Sequence, residues 1–137
     1  MHRSGIMTTP ATRAACIAME GLPKEALSQV ASYFQALAEP TRLTLLNLLR
    51  GGERSVGELA QATGFTIANV SRHLALLAQR GLVLREGRGT SVYYRIADES
   101  VYALCDLVCG NIAQQFERQA RGREHFVPAA PRRRPAR

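Results

Sequence analysis

The sequence predicts one mainly α-helical domain of about five helices with a small two-stranded β-hairpin. The chain has 137 residues, which is room for one compact domain and its tails. Hydrophobic residues make up 46% of the chain, so we expect a buried core rather than a disordered polymer. Apolar residues recur three and four positions apart over most of the chain, whereas a strand pattern is confined to residues 82–85 and 91–96.

The first two helices are predicted between residues 24 and 51. Apolar residues at helical spacing indicate a first helix that starts at Lys24 and ends before Glu39-Pro40: Leu27, Val30, Phe34 and Leu37. Pro40 suits the first turn of the second helix, because a backbone N–H is not needed there. This leucine-rich helix ends at two consecutive glycines, Gly51 and Gly52.

Capping residues mark the next two helices. Ser55 followed three residues later by Glu58 matches a capping box, which predicts the start of a short third helix that ends at Gly64. Thr66 is suited to cap a fourth helix, which runs through Arg80 and ends at Gly81.

The rest of the domain is predicted to be a hairpin followed by one long helix. Gly87, Arg88 and Gly89 supply the turn of the hairpin, and a fifth helix runs from about residue 98 or 100 to residue 118 or beyond. These elements divide the chain into an N-terminal arm (1–23), one domain (24–118) and a basic tail predicted to be disordered (119–137).

The order of the elements, a short helix, a tight turn, a second helix and a hairpin, is that of a winged helix-turn-helix. One face of the fourth helix must join the core, because it carries Val70, Leu74 and Leu77. The opposite face carries Asn69 and Arg72 beside three small residues: Ala68, Ser71 and Ala75. Small residues let a helix approach DNA closely, and Asn and Arg hydrogen-bond to base edges and phosphates. Arg88 in the hairpin can reach a minor groove or a phosphate.

The positive charge of the chain lies mainly in its tail. The formal net charge is +7, but residues 118–137 contain seven arginines and one acidic residue, Glu124. The rest of the chain is therefore nearly neutral, and net charge alone does not predict a DNA-reading face.

Three cysteines, Cys16, Cys105 and Cys109, are an odd number without a repeating framework, which favours free thiols in a reducing cytoplasm. Cys105 and Cys109 lie one turn apart on the fifth helix and are therefore neighbours. One interpretation is that they are small residues of a buried apolar stripe. The other is that they bind one soft ion together, with Cys16 as a third thiolate if the N-terminal arm folds onto the last helix of its own or the partner subunit.

Several motifs in a fixed order over residues 24–117 resemble the ArsR/SmtB family of winged-helix repressors. They are Ala38-Glu39-Pro40-Thr41-Arg42, Ser55-Val56-Gly57-Glu58-Leu59-Ala60, the run from Asn69 to Leu77, Gly81-Leu82-Val83, and Tyr93-Tyr94-Arg95-Ile96. The resemblance implies a homodimer built from the first and last helices. Such a dimer binds an imperfect inverted repeat of operator DNA and leaves it when an inducer binds.

The resemblance also assigns the DNA-reading residues: Thr66, Ile67, Asn69, Ser71, Arg72 and His73, with Arg88 in the wing. Relatives often carry a polar Gln where this chain has Ile67, which indicates an apolar contact such as one with a thymine methyl group. Three roles stay open for His73: base reading, a contact with the DNA backbone, and packing on the flank of the helix.

The similarity to arsenic-responsive members implies trivalent arsenic or antimony, or another soft metal, bound by Cys16, Cys105 and Cys109 in a trigonal site. The Cys-x-Cys pair that the family carries on its third helix is replaced here by Glu58-Leu59-Ala60-Gln61, and the histidine patterns of its last helix are absent. Cadmium, lead and zinc sites of the known types are therefore disfavoured. The alternative is a thiol-redox or persulfide response that bridges Cys16 to Cys105 or Cys109.

An enzyme is not predicted, because none of the three histidines, His2, His73 and His125, belongs to a visible nucleophile, base and orienter set. The sequence also lacks an apolar run long enough to cross a bilayer and a credible signal peptide, so we expect a cytoplasmic protein without a membrane partner. The alternative of another class is a winged-helix interaction module, or a nonspecific nucleic-acid binder that acts through the arginine tail with weak sequence preference.

Overall fold

A computed structural model describes residues 18–126 of the chain, and its elements confirm the predicted winged helix-turn-helix. The helices are α1 (Lys24–Leu37), α2 (Pro40–Leu49), α3 (Val56–Thr63), α4 (Ile67–Gln79) and α5 (Ser100–Phe126), and the strands are β1 (Arg54–Ser55), β2 (Val83–Arg88) and β3 (Ser91–Ile96).

One apolar core holds α2, α3, α4 and the sheet together. Its largest fully buried side chains are leucine and valine from α2, α3, α4 and β2: Leu45, Leu49, Leu59, Val70, Leu74, Leu77 and Val83, with Val101 from α5. The apolar stripe predicted for the fourth helix is therefore in the core. Because such burial stabilises in proportion to the apolar area removed from water, this cluster fixes which face of α4 remains outside.

The turn between α3 and α4 is fixed by the predicted caps. The Ser55 hydroxyl accepts a hydrogen bond from the Glu58 N–H at 3.1 Å, while the Glu58 carboxylate accepts one from the Ser55 N–H at 2.8 Å. The same backbone N–H of Ser55 lowers the pKa of Glu58. Gly64 ends α3 with φ +81°, a conformation that favours glycine, and the Thr66 hydroxyl accepts from the Asn69 N–H at 3.1 Å to start α4.

The wing is a three-stranded antiparallel sheet in the order β1-β3-β2, one strand more than predicted. The added strand has only two residues, Arg54 and Ser55, which pair with Tyr94 and Tyr93. The hairpin turn also differs from the prediction, because Arg88 is the last residue of β2 and pairs with Ser91. Gly89, with φ +62°, supplies the positive φ that a two-residue hairpin turn needs.

The last helix continues past the predicted domain boundary at residue 118. It runs to Phe126, so residues 119–126, assigned to a disordered tail, are helical. Glutamine, arginine and glutamate favour helix, and no proline interrupts them before Pro128. The prediction for residues 127–137 lies outside the described residues, as do residues 1–17 of the arm and with them Cys16. No helix between residues 18 and 126 is both long and apolar enough to cross a bilayer.

The start of α5 is the part that packs on the domain. Val101 and Tyr102 are buried, and the Tyr102 hydroxyl donates a hydrogen bond to the Leu46 carbonyl at 2.8 Å. From residue 106 onward almost every residue of α5 is exposed in the single chain.

The burial of each leucine predicts how much its substitution by alanine lowers the stability of the domain. Leu59 has no exposed surface, so Leu59→Ala removes apolar contacts and leaves a cavity, and we expect the free energy of unfolding to fall by about 2–5 kcal/mol. Leu84→Ala is the matched control, because Leu84 is 43% exposed, and we expect a loss below about 1 kcal/mol. Urea unfolding at one protein concentration measures both, and equal losses would contradict the described core.

Candidate nucleic-acid interface and thiol groove

The outer face of α4 carries four of the predicted DNA-reading residues. A shallow depression at the start of the helix is lined by Thr66, Ala68, Asn69 and Arg72, together with Gly64 and Phe65 of the preceding turn. Beside it, Ile67 is 61% exposed although it is a large apolar residue. The Arg72 guanidinium donates a hydrogen bond to the Asn69 side-chain carbonyl, so the two polar side chains are held together. This face can offer both a donor array and an apolar contact to a base edge.

The predicted reading residues differ in burial. Ser71 is half-buried, as is Asn69. The side chain of His73 is only 12% exposed, and its Nδ1 lies 3.2 Å from Nη1 of Arg42 on α2. The structure therefore brings Asn69 and Arg72 together on the outer face and turns His73 toward the domain.

Arg88 in the wing is paired with two carboxylates. Its Nη2 lies 2.7 Å from Oε2 of Glu53 and 3.1 Å from Oε1 of Glu86, and its guanidinium stacks on the Tyr93 ring with 4.5 Å to the centroid. The hydrogen bonds to Glu86 and Glu53 raise the pKa of Arg88 further above its ordinary value, and Arg88 lowers the pKa of Glu86. The charge of this candidate DNA contact is thus compensated in the free protein.

An apolar groove of about 640 Å³ lies between α1, α2 and α5. Both cysteines of α5 line it: Cys105 is half-buried and Cys109 is exposed. The apolar part of its wall is formed by Phe34, Leu37, Leu43, Leu46, Val108 and Ile112. The structure therefore brings two of the three predicted thiols together, while Cys16 lies outside the described residues.

Sequence reasoning missed an arginine at the edge of this groove. Arg50, which ends α2, donates to both carboxylate oxygens of Asp106, at 3.1 and 3.4 Å, and its guanidinium lies 4.3 Å from the centroid of the Tyr102 ring. No local pattern indicates this pair, because 56 residues separate Arg50 from Asp106.

The surroundings of Cys105 favour the protonated form of its thiol. Burial raises the pKa of Cys105, the neighbouring Cys109 raises it further, and Arg50 opposes both effects. A soft ion that binds here must therefore displace a proton. Between residues 18 and 126, no cluster of three or more His, Cys, Asp or Glu side chains could hold a metal ion, so a three-thiolate site needs a donor from another part of the chain or from a second copy.

The chain is similar to known bacterial regulators over the region that includes the helix-turn-helix. A family model for bacterial regulatory proteins of the arsR family matches residues 39–84, which include α2, α3 and α4. The HTH-type transcriptional regulator NmtR of Mycobacterium tuberculosis is 42% identical over 85 residues, which cover 62% of this chain and 71% of NmtR. The matched region of this chain spans between 36% and 71% of the length of the first three curated relatives.

Two solved structures share the fold and part of the sequence. The homodimeric winged helix-turn-helix DNA-binding domain Mb0332 of Mycobacterium bovis is 40% identical with a TM-score of 0.62, over 73% of this chain and 95% of that one. The antimony-specific transcriptional repressor AntR is 30% identical with a TM-score of 0.62, over 75% of this chain and 94% of that one. By its fold, its motifs and these relatives, the chain belongs to the ArsR/SmtB family of winged helix-turn-helix transcriptional regulators.

Proposed function

We propose that this protein is a homodimeric, sequence-specific DNA-binding repressor that an inducer releases from its operator through cysteine thiols. The outer face of α4 carries the proposal: it has no acidic residue, and it presents Asn69 and Arg72 among small side chains while the other face is held in the core. A merely solvated helix would carry acidic residues as often as basic ones.

Reading of the operator is assigned to the start of α4. Arg72 and Asn69 are suited to base edges in the major groove, Ile67 to a thymine methyl group, and Thr66 and Ser71 to the nearby sugar-phosphate backbone. The hydrogen bond between Arg72 and Asn69 limits the freedom of both side chains before DNA binds, which lowers the entropy lost on binding.

Dimerisation through α1 and α5 is supported by the apolar surface that both helices leave exposed. The exposed large side chains include two on α1 and three on α5: Leu27, Phe34, Val108, Ile112 and Phe116. A second copy would remove this surface from water, and Mb0332, which shares the fold, is homodimeric. Two-fold symmetry would then set two copies of α4 one helical turn apart, which fits an inverted repeat.

Trivalent arsenic or antimony is the proposed inducer, with another soft metal as the broader class. Soft ions favour thiolate ligands, and Cys105 and Cys109 face one groove one turn apart, with Cys16 as the third ligand. The similarity to AntR, an antimony-specific repressor, supports this choice. Because the groove lies between the two proposed dimer helices, binding there can favour a dimer whose α4 copies no longer fit the operator.

A second candidate response is covalent: oxidation or persulfide chemistry would bridge Cys16 to Cys105 or Cys109. Cys109 is exposed in the single chain, which supports this candidate for the protein before it dimerises, since a bridging thiol must be reached by the oxidant. A nonspecific nucleic-acid binder, or an interaction module, is the alternative of another class.

Truncation of the reading face tests sequence-specific binding. We expect Arg72→Ala and Asn69→Ala each to weaken operator binding by about 1–3 kcal/mol, since each removes hydrogen bonds to bases. Fluorescence anisotropy at fixed salt measures this, with DNA from upstream of the protein's own gene and a shuffled duplex. Gln79→Ala, at the exposed end of α4, is the control and should bind as the wild type does. Wild-type protein that binds both duplexes equally would contradict the repressor proposal.

Release by arsenite tests the thiol site. We expect arsenite to release the reduced wild-type protein from operator DNA but to leave Cys16→Ser, Cys105→Ser and Cys109→Ser bound, because each variant lacks one of three ligands. Asp106→Asn keeps all three thiols and should still be released. If only an organic persulfide releases the wild type, and Cys109→Ser still responds, a two-cysteine bridge replaces the metalloid site.

In the wing, we expect the carboxylates of Glu53 and Glu86 to compete with DNA for Arg88. Glu53→Gln removes one partner of Arg88, so we expect operator affinity to rise a few-fold in the wild-type background and to stay unchanged in an Arg88→Ala background. Arg88→Ala alone should reduce the slope of log Kobs against log salt by about one. Glu25→Gln, which removes the same charge from α1, is the control. An equal rise in both backgrounds would show that Arg88 does not contact DNA.

A further inference from the structure

The guanidinium of Arg42 lies where α1 ends, α2 begins and α4 passes. Its Nε donates to the Ala36 carbonyl at 2.6 Å and its Nη2 to the Gln35 carbonyl at 3.1 Å. The last carbonyls of a helix lack the usual donor four residues on, so Arg42 supplies a donor to Ala36 and a second donor to Gln35, whose carbonyl also accepts from the Ala38 N–H at 3.1 Å. The backbone N–H of Arg42 donates in turn to the Glu39 carboxylate at 3.0 Å, which caps the start of α2.

The remaining arm of this guanidinium reaches α4. Nη1 of Arg42 lies 3.2 Å from Nδ1 of His73, across 31 residues of sequence. A guanidinium has only donors, so Nδ1 must accept, which requires that this nitrogen carry no proton. The Glu39 carboxylate lies 4.0 Å from the same Nδ1, and the His73 side chain is only 12% exposed. His73 is therefore engaged on the inner side of α4, away from the depression that Asn69 and Arg72 line.

The contact is directional, whereas the rest of the packing of α4 is not. Leucine and valine hold α4 on the core through apolar burial, which fixes the buried face and leaves only small rotations about the helix axis open. A hydrogen bond from a charged donor restricts that rotation, because it requires both a short distance and a near-linear angle. Nη1 of Arg42 makes this restraining contact, while its Nε and Nη2 atoms donate to carbonyls of α1.

We propose that Arg42 and His73 are positioning residues for operator reading. His73 does not touch DNA; it fixes the orientation of α4 through Arg42 relative to the end of α1, one of the two proposed dimer helices. This inference rests on the proposed sequence-specific binding, and it assigns to His73 the packing role among the three that the sequence leaves open. Through Arg42 and His73, a change in the position of α1 in the dimer would change the orientation of the reading face of α4.

The test compares two substitutions of His73 that separate positioning from DNA contact. His73→Asn keeps an acceptor near the place of Nδ1, whereas His73→Leu removes the acceptor and keeps the volume close to that of histidine. We expect His73→Asn to bind the operator within about twofold of the wild type, and His73→Leu to lose about tenfold. Neither variant should change the affinity for shuffled DNA or the slope of log Kobs against log salt.

Arg42→Lys provides the second arm of the test. Lysine keeps the charge but cannot donate to two helices in a fixed fork, so we expect the same tenfold loss as for His73→Leu. The double variant with His73→Leu should be no worse than Arg42→Lys alone, because the connection to His73 is already broken in that variant. Arg80→Lys, at the exposed end of α4, is the matched control and should bind as the wild type does. Thermal melting and the dimer mass of each variant identify losses that come from unfolding.

The outcomes distinguish this proposal from the one on which it rests. Equal losses for His73→Asn and His73→Leu, or a slope reduced by about 0.9 in both, would assign His73 to a DNA contact and overturn the proposal. If His73→Leu fails to fold, a folded Arg42→Lys that binds the operator normally overturns it as well. Wild-type protein without operator preference would instead overturn the proposed repressor function, and this inference with it.

Discussion

Burial of one side of α4 is the constraint on which the rest of this structure depends. Val70, Leu74 and Leu77 have no exposed surface, and they hold the helix against α2, α3 and the sheet. Because helical side chains of one face recur every three or four residues, this burial determines which residues remain outside, and these include Asn69 and Arg72. Among residues 18–126 this core contains no charged side chain, and its burial leaves the polar residues of α4 on the outer surface.

The other side of the domain carries exposed apolar side chains and a groove. α1 and α5 leave large apolar side chains exposed, and between them and α2 lies the groove that Cys105 and Cys109 line. In the proposed function, one region provides both the dimer interface and the site for a soft ion, so an ion bound there would act directly on the arrangement of the subunits. Arg42 extends this connection to α4, because it contacts the last turns of α1 and His73 at once.

Local features could be predicted from the sequence, and contacts between distant residues could not. The capping box at Ser55, the cap at Thr66 and the apolar stripe of α4 each depend on residues within one or two turns. The pairs Arg88 with Glu53 and Arg42 with His73 join residues 35 and 31 positions apart, and no periodicity indicates them. The strand β1 was missed because two residues carry no detectable alternation, and the end of α5 because exposed polar residues resemble those of a tail.

The proposed function requires that two copies of α4 read two half-sites on one face of DNA. Hydroxyl-radical footprinting of the wild-type protein on DNA upstream of its own gene tests this most directly. We expect two protected patches on one face, separated by about 34–36 Å or one helical turn. Protection spread evenly along the duplex, at protein concentrations that saturate it, would contradict the claim and point to nonspecific binding through the arginine-rich tail.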